Sequence, residues 1–125
     1  MNGANTLLAQ VRPNATTAVL AWNSPPVQQG RGLNTELTLI VVCNTTASPA
    51  NFSIFHDDGG GSVFDQTTAL WYAKSLAAND TVFLSIPSAN SGVAIKAGGQ
   101  IGVQSSVAEA LTFSFYGITQ QVPTR

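Results

Sequence analysis

The segment Leu111-Thr112-Phe113-Ser114-Phe115-Tyr116-Gly117 alternates with a period of two. Leu111, Phe113 and Phe115 fall on one side, Thr112 and Ser114 on the other. Successive side chains of a strand point to opposite faces, so this pattern describes a strand with one buried and one wet face, as antiparallel sheets have. Working outward, Thr81 to Ile86 (TVFLSI) reads as a second strand, closed by Pro87. Ala50 to His56 (ANFSIFH) is a third, closed by the turn Asp57-Asp58-Gly59-Gly60-Gly61. Ala18 to Trp22, Gln100 to Ser105 and Thr6 to Arg12 are shorter candidates.

Two segments read less simply. Thr35 to Asn44 (TELTLIVVCN) puts Leu37, Leu39, Val41 and Cys43 on one face and Ile40 and Val42 on the other. A strand apolar on both faces is usually covered on both, so this one is expected under a loop or in a contact between subunits. Gln66 to Leu76 (QTTALWYAKSL) mixes helix formers with Thr67, Thr68, Trp71 and Tyr72, which favour strands. As a strand it sends Trp71 and Tyr72 to opposite faces, and one of them is then an exposed or interfacial aromatic.

Breakers recur between these runs: Pro13-Asn14, Ser24-Pro25-Pro26, Gly30-Arg31-Gly32, Ser48-Pro49, Asn79-Asp80, Ser91-Gly92 and Gly98-Gly99. Short strands punctuated in this way point to an all-β fold, an antiparallel β-sandwich of Greek-key or jelly-roll type. At 125 residues the chain is expected to form one domain over 1–125, with short arms at 1–5 and 120–125.

Charged residues make up 9% of the chain, against roughly 25% in ordinary soluble domains. Ser, Thr, Asn, Gln and Gly must supply most of the polar surface, and electrostatic protection against association is weak. The basic residues Arg12, Arg31, Lys74, Lys96 and Arg125 are scattered, so nucleic acid is not an expected partner. No apolar run approaches the roughly 20 residues of a membrane-spanning helix, and a membrane is not expected either. The start, Met1-Asn2-Gly3-Ala4-Asn5, lacks the basic region of a signal peptide, so synthesis in a cytoplasm is expected.

The inventory for catalysis is thin. His56 is the single histidine, and a nucleophile needs a base beside it. Gly60-Gly61-Ser62-Val63 comes nearest to a nucleophile elbow, but Phe64 stands where the final glycine belongs. Cys43 is the single cysteine, so no internal disulfide forms and, with one histidine, no ordinary zinc site is expected. Cys43 reads as a buried, inert thiol. Asp57, Asp58 and Asp65 bracket a glycine loop and could offer oxygens to calcium, although a plain turn is the favoured reading. The Asn-x-Ser/Thr triplets at Asn14, Asn44, Asn51 and Asn79 follow from composition. No cofactor is expected, and the chain reads as a non-enzyme.

Several stretches resemble small virion proteins of tailed bacteriophages: Asn5-Thr6-Leu7-Leu8-Ala9-Gln10-Val11-Arg12-Pro13, Ile40-Val41-Val42-Cys43-Asn44-Thr45-Thr46, Phe52-Ser53-Ile54-Phe55-His56-Asp57-Asp58-Gly59, Asp65-Gln66-Thr67-Thr68-Ala69-Leu70-Trp71-Tyr72-Ala73 and Ala110-Leu111-Thr112-Phe113-Ser114-Phe115-Tyr116-Gly117. That family includes capsid decoration, or cement, proteins and small tail or fibre components. The resemblance implies a β-sandwich or β-barrel, often a homotrimer, on the surface of a particle such as the phage head, made in the host cytoplasm and bound to the major capsid protein or other virion proteins. It carries over no catalytic residue. The expected contact residues are those with no obvious place in a single core: Trp22, Ile40, Val42, Phe55, Trp71 and Tyr72, with the N-terminal arm. The alternative is a tail or fibre component, or a carbohydrate- or receptor-binding module in which Trp22, Trp71, Tyr72 or Tyr116 stacks on a sugar.

Overall fold

The computed structural model describes residues 6–24, 31–85 and 93–123, with the side chains of 31–34 and 120–123 left undescribed. The N-terminal arm, the Pro25-Pro26 turn and the segment containing Ile86 and Pro87 lie outside these residues. The described chain is all β: β1 (Thr6–Val11), β2 (Val19–Asn23), β3 (Arg31–Asn44), β4 (Ala50–Asp57), β5 (Ala69–Leu76), β6 (Thr81–Ser85), β7 (Val93–Ile95), β8 (Gln100–Ser105) and β9 (Leu111–Pro123).

Two antiparallel sheets face each other. One runs β1-β9-β3-β6, with β7 also on β3; the other runs β2-β8-β4-β5. The pairs β1·β9, β2·β8, β3·β6 and β4·β5 are nested, as in one long hairpin. The pairs β9·β3 and β8·β4 roll that hairpin up. This is the strand order of a jelly roll, with β7 added in line with β6.

The core lies between the sheets. Leu111, Phe113 and Phe115 point inward from β9, as the opening alternation requires, and meet Phe52, Ile54, Ile101 and Val103 from the opposite sheet. The Phe52 and Phe113 rings bridge the sheets edge-to-face, with centroids 6.4 Å apart, an arrangement that the ring quadrupoles favour.

The structure corrects the sequence reading of β3. A bulge at Thr38 shifts the register with β9 between Leu37 and Leu39. A bulge puts two residues opposite one and reverses the faces beyond it. Leu37 therefore shares the inner face with Ile40 and Val42, all fully buried, while Leu39, Val41 and Cys43 turn outward and are half-buried. Cys43 is accordingly not the buried thiol expected. Glycine is required at the same place on β9: a Cβ on Gly117 would collide with the carbonyl of Glu36.

The ends of the long strands differ from expectation as well. Arg31 and Gly32 do not break the chain; they pair with Pro123 and Val122. Residues 120–123, expected as part of an arm, thus belong to β9, because the extended β3 supplies their backbone with partners.

Candidate functional site

Three of the six expected contact residues are interior. Ile40 and Val42 are fully buried in the core between the sheets. Phe55 is 1% exposed but belongs to the other side of its sheet, outside the main core cluster. There it pairs with Gly102 on β8. The connection between β4 and β5 folds back and lays Phe64 over it, with ring centroids 6.1 Å apart. A Cβ on Gly102 would come within 2.5 Å of the Phe64 ring, so glycine leaves room for this lid. Phe55 is therefore hidden by its own chain.

Asp57 holds that connection in place. Its carboxylate accepts N–H bonds from Gly59 (3.0 Å), Gly61 (3.0 Å) and Val63 (2.9 Å). The Val63 bond is the largest cause holding the carboxyl below its ordinary 3.8; burial opposes it, and Gly59, Gly61 and His56 add to it. Gln100 Oε1 accepts from the Ser62 N–H at 2.6 Å. Asp65 accepts from the Thr67 hydroxyl and N–H, which lower its pKa too. Asp58 Oδ1 takes His56 Nε2 at 3.0 Å and the Lys96 N–H at 3.2 Å. Asp57 and Asp65 are thus bonded to their own loop and Asp58 to His56 and Lys96, and among the described residues no group of three or more His, Cys, Asp or Glu side chains is placed to hold a metal.

Trp22 and Trp71 are half-buried against the core. Trp71 also lines a groove of about 680 Å³ between the β5 and β6 edges, with Phe52, Leu76, Val82 and Leu84. Tyr72 points the other way, as expected, and is 49% exposed. It stands between two hollows of about 430 and 180 Å³ that share Gln104 and are lined by polar groups including Asp65, Thr67, Asn51 and Ser53.

Among the described residues, the most exposed of the large apolar side chains is one that the sequence reading does not single out. Phe83, at the centre of β6, is 65% exposed. The signal was present: in TVFLS, Val82 and Leu84 alternate inward and leave the phenyl ring alone on the outer face. Cross-strand pairing sets Phe83 beside Val41, Val41 beside Ser114, and Ser114 beside Gln10. The next row is Ser85, Leu39, Tyr116 and Leu7, the last 49% exposed. On the other side lie Thr81, Cys43 and Thr112. No Asp, Glu, Lys or Arg interrupts these rows. These three rows form an uncharged patch across four strands, and Glu36 on β3 begins the row beyond it.

No family model matches the chain, and no curated protein does. Among solved structures, a chain from infectious bursal disease virus, Gx strain, is similar at 11% sequence identity and a TM-score of 0.45, over 96% of this chain and 31% of that one. The chain thus spans about a third of that protein's length. The sandwich assignment rests on the two packed sheets themselves.

Proposed function

We propose that this chain is a non-enzymatic virion structural protein, of the capsid decoration type, that works by covering apolar sheet surface against copies of itself and against shell subunits. The observation that carries this reading is the uncharged patch where the rows of Phe83, Ser85 and Thr81 cross the outer face of β6, β3, β9 and β1, with Leu7 and Phe83 standing out of it. Exposed apolar patches on soluble proteins commonly mark contact surfaces, and like-charge repulsion does not keep this one apart. The bacteriophage assignment and the position on the head come from the sequence resemblance. Jelly rolls recur in capsid and lectin domains and in cupins, so the fold alone does not choose among them. A decoration protein acts by mass action: it binds the assembled state and stabilises it by its binding free energy, and repeated contacts add avidity. Adding the purified protein to shells that lack it should raise their melting temperature. Shells that neither bind it nor gain stability would remove the decoration role.

A second reading has its own observation. Tyr72 is an exposed ring with hydrogen-bonding hollows on both sides, the layout of a sugar platform in a tail, fibre or receptor-binding module. Its test is glycan-array binding that is lost in Tyr72→Ala. A wild type that binds no glycan sets the reading aside.

A further inference from the structure

Among the described residues the outer edges of the two sheets are β1, β2, β5 and β6, with the three-residue β7 in line with β6. Exposed edges invite pairing with another chain, and proteins guard them with bulges, charges, proline or brevity. Three of these edges are guarded. The register of β1 breaks between Leu7 and Ala9, that of β2 between Leu20 and Trp22, and that of β5 twice along β4. β5 also carries Lys74 and the left-handed Ala73, at φ 51°. β6, five residues long, has no bulge, charge or proline over its length. All five of its residues pair with β3 in unbroken register, and they include no charge and no proline.

The free side of β6 can be read from its hydrogen-bond phase. The Asn44 N–H donates to the Asp80 carbonyl at 2.8 Å. Antiparallel pairs alternate between bonded and non-bonded, so Val42·Val82 and Ile40·Leu84 are the bonded pairs. Thr81, Phe83 and Ser85 then turn their N–H and C=O groups outward. Asp80 Oδ1 accepts the Thr81 N–H at 2.9 Å and closes that end. Among the described residues β6 pairs with β3 alone.

We infer that the β6 edge pairs with β6 of a second copy, antiparallel, about a two-fold axis through Phe83. The sequence of β6 fits its own reverse. Thr-Val-Phe-Leu-Ser reads hydroxyl, aliphatic, aromatic, aliphatic, hydroxyl in both directions. The axis sets Thr81 opposite Ser85, Val82 opposite Leu84, and Phe83 opposite itself. The two Phe83 residues exchange both N–H···O=C bonds, and their rings lie side by side on the outer face. The four inward aliphatic side chains meet where Val82 and Leu84 already line the groove beside Trp71. β6 itself carries no charge. The Asp80 carboxylate sits at one end of the edge, on the Thr81 N–H, so the two-fold axis sends the two Asp80 side chains to opposite ends of the contact. A two-fold contact needs this self-complementarity.

This contact rests on the self-associating reading above and gives it a place in the molecule. A pairing of five residues is small beside the roughly 1,200 Å² at which interfaces become stable alone, so it is weak in solution and gains from the high effective concentration of a particle. A two-fold contact joins two chains, and in the trimers that the resemblance implies each trimer would offer three such edges.

The test combines light scattering with a covalent trap. Wild-type protein should show a mass rising from monomer toward dimer as its concentration approaches about 1 mM, the range for weak contacts. Phe83→Lys puts two like charges face to face and should weaken association by about tenfold or more. In a Cys43→Ala background, Phe83→Cys should form a disulfide-linked dimer on mild oxidation, since the paired Cα atoms would lie about 5.5 Å apart, within disulfide reach. The trap does not depend on Phe83→Lys folding well. If the wild type associates while Phe83→Lys associates equally and the cysteine variant stays uncrosslinked, the edge pairing is overturned and self-association by another surface stands. A wild type that remains monomeric throughout overturns both.

Discussion

Asn44 is the side chain on which three segments converge. It is 1% exposed at the end of β3. Its amide nitrogen reaches the carbonyls of Ser48 (2.8 Å), Ala77 (3.2 Å) and Leu76 (3.4 Å), while its oxygen accepts from the Thr46 N–H (3.0 Å) and hydroxyl (2.8 Å). The turn after β3 and the turn between β5 and β6 are therefore tied together through one amide. Removing a buried partner leaves the other groups unsatisfied, so Asn44→Ala should cost about 2–4 kcal/mol in urea unfolding. Its burial also takes the Asn44 amide of the Asn44-Thr45-Thr46 triplet off the folded surface, while Thr45 stays exposed. Asp57 gives a pH signature. Its folded pKa lies below its ordinary 3.8, so its contribution is fully present above the unfolded value and is lost as pH falls through the folded one. Asp57→Asn replaces one acceptor oxygen by an amide NH2, which then faces either the Gly59 N–H or those of Gly61 and Val63. It should melt at a lower temperature than wild type at pH 7, and the gap should narrow in melts below pH 3.8. Equal gaps at both pH values would contradict this account.

At the scale of the elements, the strands were legible wherever alternation ran unbroken, as in Leu111–Gly117, and the placement of Trp71 and Tyr72 on opposite faces followed from it. The bulge at Thr38 was not legible. A bulge is set by what the neighbouring strand does, here β9 approaching closely at Gly117, and simple alternation across it assigns the faces beyond it wrongly. For the same reason Ile40 and Val42 looked surplus to one core when they are central to it. Phe55 was misjudged differently. Its cover comes from Phe64 in an irregular connection with no periodicity to read, and the room for that cover comes from Gly102, some forty residues away in the chain. Phe64→Ala should uncover Phe55 and loosen the connection between β4 and β5, at a cost of about 1–3 kcal/mol for the lost burial. Limited proteolysis should then cut between residues 58 and 68 in the variant and spare the wild type. Resistance in both would mean that the Asp57 and Gln100 hydrogen bonds hold the loop unaided.

For the whole molecule, the low charge content pointed to association, but composition does not say where the uncharged surface lies. Folding sets an uncharged patch on the outer face of the β1-β9-β3-β6 sheet, and the β6 edge of that patch has no bulge, charge or proline of its own. A contact made of apolar area and backbone hydrogen bonds contains no ion pair for salt to screen. Self-association measured by sedimentation should therefore not weaken between low and high salt, whereas a tenfold loss would point to an ionic contact elsewhere. The most direct measurement is backbone hydrogen exchange as a function of protein concentration. In the single chain the amides of Phe83 and Ser85 face outward from β6, while those of Val82 and Leu84 are bonded to β3. Phe83 and Ser85 should exchange fast in dilute solution and become protected as concentration rises, with Val82 and Leu84 protected throughout. Fast exchange at Phe83 at every concentration, in samples whose mass shows that they have associated, would contradict it.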